Sequence, residues 1–167
     1  RIWAPNADAV YVTGTFNKWS ERETPMAREG EGYWSRDVGD ANVGDEYRYL
    51  LVNGEQTFSR IDPWAREVTN SVGNAVIHDA DFDWGDDSAF LIPPLNEMVI
   101  YEMHIGTFAR EDSNAPGRLE AAIEKLPYLK SLGINAIELL PIAEFAGGIS
   151  WVYNPAHPFA VESDYGG

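Results

Sequence analysis

The chain has 167 residues, 44% of them hydrophobic, and 27 acidic against 12 basic residues give a formal net charge of -15. That size and composition support one or two domains, each with a packed core. The negative charge opposes nucleic acid phosphates and anionic lipid surfaces, the absence of cysteine removes disulfides and thiolate metal sites, and no apolar run reaches the roughly twenty residues that span a bilayer. The expectation is no nucleic acid partner, no membrane partner, no metal and no cofactor. A cytoplasmic location is expected, although the opening RIWAP reads as the inside of a strand and leaves an upstream signal peptide open.

From Arg1 to about Asp87 the chain reads as a small all-β unit. Candidate strands are Arg1 to Ala4, Val10 to Phe16, Gly32 to Val38, Tyr47 to Val52, Thr57 to Arg60 and Ala75 to His78, with turns at Pro5-Asn6, Glu29-Gly30 and Asn53-Gly54. Short strands at this spacing predict a β-sandwich. Asn53-Gly54 is the strongest hairpin signal, because both residues tolerate the positive φ of a tight turn. Trp3, Tyr11, Phe16, Tyr47 and Tyr49 lie on predicted strands and read as core. Trp19 lies beyond a strand end, in FNKWS. Two readings stand for it: a ring in solvent suited to the apolar face of a glucose unit, with Asn17 and Lys18 reaching the hydroxyls, or a lid folded back on the core.

The combination of WAPNA, GTFNKW and YRYLLVNG, followed by IDPWAR, resembles the glycogen-binding module that precedes the barrel in many alpha-amylase superfamily enzymes and also occurs in regulatory subunits of a protein kinase. The resemblance covers about residues 1–80 and implies an immunoglobulin-like β-sandwich. It also implies that Trp19 stacks on the glucan, with Arg48 and Asn74 nearby. Glycogen-binding members carry a second tryptophan just after the hairpin turn, where this chain has Gln56. That departure implies weak binding and a module that packs against the barrel.

Residues 79–97 carry five aspartates and a Pro-Pro pair, which fits a connection better than a helix or strand; 81–97 is the expected linker, with Phe82 and Trp84 pinning it to a neighbouring surface. The aspartates lack the spacing and fixed glycine of a calcium loop. From Met98 to Pro141 an apolar run, a helix and a second apolar run form a βαβ pattern, which predicts two parallel strands. Leu119, Ala122, Ile123, Leu126, Leu129 and Leu132 make one apolar stripe on the helix, Lys130 complements its C-terminal end, and Gly133 suits the left-handed stop. The strands are apolar almost throughout, as strands covered on both faces are.

YEMHIGTF, LPYLKSLGINAIELLPIAEF and SWVYNPAHPFAVESDYGG resemble the first strand, first helix with second strand, and following loop of the alpha-amylase superfamily barrel, glycoside hydrolase family 13. Residues 98–167 then read as the incomplete first β-α-β of a TIM barrel. The resemblance implies that Tyr153 stacks under the sugar beside the cleaved bond. Most relatives have glycine before that tyrosine; Val152 here demands an unusual backbone angle or shifts the ring. A retaining glycosidase needs two carboxyl groups about 5 Å apart. Glu102 and Glu138 sit within strands, below the rim where substrate binds, and structural pairing explains them equally well. The family's catalytic acids follow later strands, so no catalytic residue is assigned. His78, His104 and His157 have no metal-binding or nucleophile-activating context, and a structural hydrogen bond is expected for each. A closed barrel takes about 250 residues, so both ends look cut. The expectation is the front part of a retaining enzyme acting on α-1,4-glucan, most like a 1,4-alpha-glucan branching enzyme. The alternatives are a trehalose-releasing hydrolase of the same superfamily and a non-catalytic glycogen-binding protein.

Overall fold

A computed structural model describes residues 1–166, apart from the side chain of Ser88. Strands β1 (Ile2–Trp3), β2 (Ala9–Gly14), β3 (Ala27–Gly30), β4 (Tyr33–Ser35), β5 (Glu46–Asn53), β6 (Gln56–Arg60), β7 (Glu67–Val68) and β8 (Ala75–Val76) make two antiparallel sheets. One sheet runs β1-β4-β3; the other runs β2-β5-β8-β7, with β6 sharing the β8 side of β5. Ile2 and Trp34 from the first sheet meet Val10, Val12 and Tyr49 from the second in one buried cluster. Trp34 is buried there with its indole N–H donated to the Ala4 carbonyl at 3.0 Å, so the largest side chain of the core keeps its one polar group satisfied. The predicted sandwich is present, with β3 and β7 as additional strands that AREG and EV, short and polar, did not announce.

Two local readings change. The hairpin turn is Gly54-Glu55, because Asn53 is still paired with Gln56; Gly54 alone takes a positive φ, +57°, and its N–H is held by Asp8 at 2.7 Å. Trp3 is not core. It is 62% exposed and donates its indole N–H to the Glu31 carbonyl, because a strand of two residues has only one inward position, taken by Ile2.

In the second part, β9 (Ile100–Met103) and β10 (Ala136–Leu139) pair in parallel, with Tyr101 opposite Ile137. Between them α1 (Leu119–Glu124) and α2 (Leu126–Ser131) replace the single predicted helix. The break falls at Lys125, because Pro127 has no N–H for a carbonyl one turn earlier and its ring crowds that carbonyl. Gly133 is left-handed as expected, φ +89°. The apolar stripe is only partly covered: Ala122 and Leu129 are buried, while Ile123, Leu126 and Leu132 are exposed. Ile100, Tyr101, Ile137 and Leu139 are exposed as well, so these strands are not covered on both faces. Two strands and two short helices have too little surface to cover them.

Strands β11 (Ala143–Phe145) and β12 (Pro155–Val161) form an antiparallel pair. Met103, Ile105, Ala122, Phe145, Val152 and Tyr165 close a second core. A third joins the two parts: Ala160 of β12 is buried against Ala65, Val68 and Ala75 around β7 and β8. In the connecting stretch Phe82 and Trp84 pin nothing; they are exposed and meet each other edge-to-face at 4.8 Å. No helix among the described residues is long and apolar enough to cross a membrane.

Candidate functional site

Trp19 stands at the end of β2, after a single 3-10 turn (Thr15–Asn17). Lys18 and Trp19 both take left-handed backbone angles, φ 54° and 62°, which cost a non-glycine residue about 1–2 kcal/mol each. Asn17 offsets that cost: its carbonyl oxygen accepts the Gly14 N–H at 2.9 Å, and its amide donates to the Val12 carbonyl and the Thr24 hydroxyl at 3.2 and 3.0 Å. The Trp19 N–H closes the turn on the Gly14 carbonyl at 2.8 Å. The ring is 38% exposed, so it is neither entombed nor free. Asn17 is occupied within the loop, and among its neighbours only the exposed Lys18 remains available for a ligand.

Arg48 and Asn74 are turned to other tasks. Arg48 donates to the carbonyls of Val72 and Gly73 at 3.1 and 2.5 Å, which pins the turn before β8. Its Nε is buried and has no protein partner, and neither has the hydroxyl of Thr13, the residue opposite it on β2. Asn74 donates its amide to Glu46 at 2.7 Å. Arg48 lines a cleft of about 600 Å³ together with Trp64, His157 and Phe159, and neither Trp19 nor Asn74 reaches that cleft.

The third predicted contact, Tyr153, is 70% exposed in the loop between β11 and β12, beside an exposed Trp151. Val152 between them is buried with φ 62°, so the backbone keeps the left-handed angle that a glycine supplies freely, and packing in the second core holds the valine there. The Ser150 hydroxyl oxygen accepts the Val152 N–H at 2.9 Å and its O–H is donated to Asn154 at 3.0 Å. His104 on the far side donates its Nε2–H to the Ser150 carbonyl at 3.1 Å, with the Trp151 ring edge-on at 6.0 Å. The three histidines all have structural partners, since His78 meets Glu67 at 3.1 Å and His157 meets the Ser71 carbonyl at 3.0 Å.

Glu102 and Glu138 lie directly opposite each other on β9 and β10 and are exposed, so they are not buried acids with catalytic surroundings. The buried carboxylates among the described residues are Asp62, Glu144 and Glu162, which sequence reasoning missed. Glu144 accepts the Ser163 N–H at 2.8 Å, while Glu162 accepts those of Phe145 and Asp164 at 3.0 and 3.2 Å. Burial pushes the Glu162 carboxyl up, the two N–H bonds pull it down, and the Glu144 charge raises it further. Their oxygens bracket backbone, which makes them struts. Asp62 accepts the hydroxyls of Tyr47 and Tyr49 at 2.8 and 3.3 Å, and burial with that carboxylate pushes both phenols well above their usual range. The Asp-Pro pair of IDPW was the available signal for a turn there. Among the described residues no three His, Asp or Glu side chains are placed to hold a metal.

Residues 1–65 match the family described as carbohydrate-binding module 48 (isoamylase N-terminal domain). That similarity covers the first 65 of the 167 residues. The other similarities extend over nearly the whole chain. The chain is 36% identical over 166 residues to a malto-oligosyltrehalose trehalohydrolase of Saccharolobus solfataricus, covering 92% of this chain and 28% of that protein. It is 35% identical over 179 residues to the 1,4-alpha-glucan branching enzyme of Nitrosomonas europaea, covering 99% of this chain and 24% of that protein. Among solved structures, a putative alpha amylase from Salmonella typhimurium superimposes with a TM-score of 0.82 at 31% identity, over 99% of this chain and 26% of that one. A pullulanase from Anoxybacillus sp. LM18-11, complexed with maltotetraose, gives 0.78 at 26% identity over 98% of this chain and 28% of that one. The chain therefore spans about a quarter of the length of the proteins it matches.

Proposed function

We propose that this chain is the α-glucan-binding front part of a retaining alpha-amylase superfamily enzyme, most like a 1,4-alpha-glucan branching enzyme. Residues 1–80 are its binding module, 81–97 the connection, and 98–167 the opening of the catalytic barrel. The observation that carries the reading is a half-exposed Trp19, held on a strained and well-braced turn of a family 48 module. The parallel β9-β10 pair around a helical crossover, with an open apolar surface, supports the barrel assignment. Tyr153, exposed on the loop after the second parallel strand, is assigned to the sugar beside the cleaved bond. Arg48 and Asn74 are assigned to the glucan face through the module resemblance, and a ligand would have to compete with their present partners. Glu102 and Glu138 lie open on a sheet and Glu144 and Glu162 brace backbone, and hydrolysis or transfer is assigned to acids on later strands of the enzyme. Trehalose release is the second reading, favoured by the 36% identity to the trehalohydrolase.

Native electrophoresis of the chain through glycogen-containing gel tests the binding reading. The chain should be retarded, and Trp19→Ala should weaken the apparent affinity at least about fivefold, as truncation of a central aromatic contact does. No retardation refutes glucan binding; equal retardation of both forms removes Trp19 from the contact.

A further inference from the structure

We infer that Asn53 is a site of spontaneous deamidation, with the Asp8 carboxylate as the base, so that the β5-β6 hairpin carries its own ageing reaction. The inference is independent of the α-glucan reading. Asn53 is the only asparagine of the chain that is followed by glycine. A glycine has no Cβ to shield its main-chain nitrogen. At Gly54 the space is open as well, with no atom within 4 Å of where a Cβ would stand. Asn53, Gly54 and Asp8 are all exposed, so water reaches them.

Other asparagines have their side-chain amides tied. Asn17, Asn42, Asn74 and Asn135 donate to Val12, Asp40, Glu46 and Glu97, which holds each amide in a fixed place. The Asn53 amide makes no such bond among the described residues. Its backbone pairs with Gln56, while Gly54 turns out of the ladder at φ +57° and donates its N–H to Asp8 Oδ2 at 2.7 Å. That charge-assisted bond gives the departing proton an acceptor already in line. As the Gly54 nitrogen attacks Asn53 Cγ, its proton passes to Asp8. The N–Cγ bond forms, the Cγ–Nδ2 bond breaks, and the amide takes that proton and leaves as ammonia. Water then opens the succinimide ring at either carbonyl, giving aspartate or isoaspartate. The isoaspartate form routes the main chain through Cβ and adds one atom before Gly54, so residue 53 no longer pairs in register with Gln56. Both forms add a carboxylate next to the Gly54 N–H that Asp8 holds, and like charges there repel.

Ageing of the whole chain at neutral pH, followed by peptide mapping, reads the reaction. The peptide holding Asn53 should gain acidic products faster than any other, and Asn53→Gln should abolish them, because the longer side chain closes its ring far more slowly. Asp8→Asn keeps an oxygen for the Gly54 N–H but cannot take its proton; it should slow the reaction at least about tenfold, a modest share of the ~10²–10⁴-fold that a positioned base contributes. Asp8→Ser also offers an acceptor without the charge and should repeat the loss, so the test survives if one variant misfolds. The isoaspartate fraction should melt about 2–4 °C below the fresh chain. Absence of acidic products at position 53 overturns the site. A rate unchanged or raised in both Asp8 variants overturns Asp8 as the base, and equal melting temperatures overturn the loosening of the hairpin.

Discussion

Val152 shows how one side chain holds an unfavourable backbone in place. A β-branched residue at φ 62° carries about 1–2 kcal/mol of strain, while burying its side chain contributes roughly 1.5–3 kcal/mol, so burial wins narrowly. At an ordinary position glycine is about 0.5–1 kcal/mol less stable than alanine. Here the order should reverse: Val152→Ala loses packing and keeps the strain, whereas Val152→Gly loses packing and releases it. Urea denaturation of the pair checks this, and an alanine variant more stable than the glycine variant would show that the turn is not strained. Trp19 and Lys18 carry the same kind of strain without such burial, and the Asn17 amide does the work of holding them. The sequence pointed to Trp19 by its place outside a strand. It placed Asn17 at the sugar hydroxyls, whereas the role of Asn17 as a brace depends on Gly14, Val12 and Thr24 converging on it.

At the scale of elements, periodicity located the crossover and misjudged its continuity. The stripe from Leu119 to Leu132 is at helical spacing, but Pro127 lies inside it and splits it into α1 and α2. Pro127→Ala should restore the missing N–H and fuse the two into one helix, since an interior proline costs up to about 3 kcal/mol. Far-UV circular dichroism should then show added helical signal; an unchanged spectrum would mean that packing, not the proline, sets the break. The hairpin reading failed by one residue for a comparable reason. Asn53-Gly54 is a fair turn pair, but strand pairing runs through Asn53, and only Gly54 needs the positive angle. The short strands β3 and β7 escaped notice because strands of four and two residues, mostly polar, present no alternating pattern to read.

For the whole molecule, the decisive contact is the one between the parts. Ala160 fills the cluster of Ala65, Val68 and Ala75, and Phe159 covers Trp64. Burying the alanine methyl and stacking the rings together contribute roughly 1–2 kcal/mol. A chain limited to residues 1–80 should still melt cooperatively, because its own sandwich core is complete, but about 5–10 °C lower than the full chain, from the sensitivity of a domain this size. Equal melting temperatures would mean that the docking adds nothing to the module. The second part is in the opposite position. Ile100, Tyr101, Ile137 and Leu139 lie open on a two-stranded sheet that α1 and α2 do not cover.

The sandwich, the parallel pair and the exposed tryptophan loop were determined locally, by turn residues, hydrophobic period and strand-end position, which is why they are legible in the sequence. What only the tertiary structure decided are the meetings between distant residues: Arg48 spent on the Val72–Gly73 turn, Asn74 spent on Glu46, the buried Glu144 and Glu162 bracketing backbone, and Trp64 laid against Phe159. The physical reason is common to all of them. A side chain's own type fixes what bonds it is able to make, but which partner takes them depends on the folded path of the chain between the two.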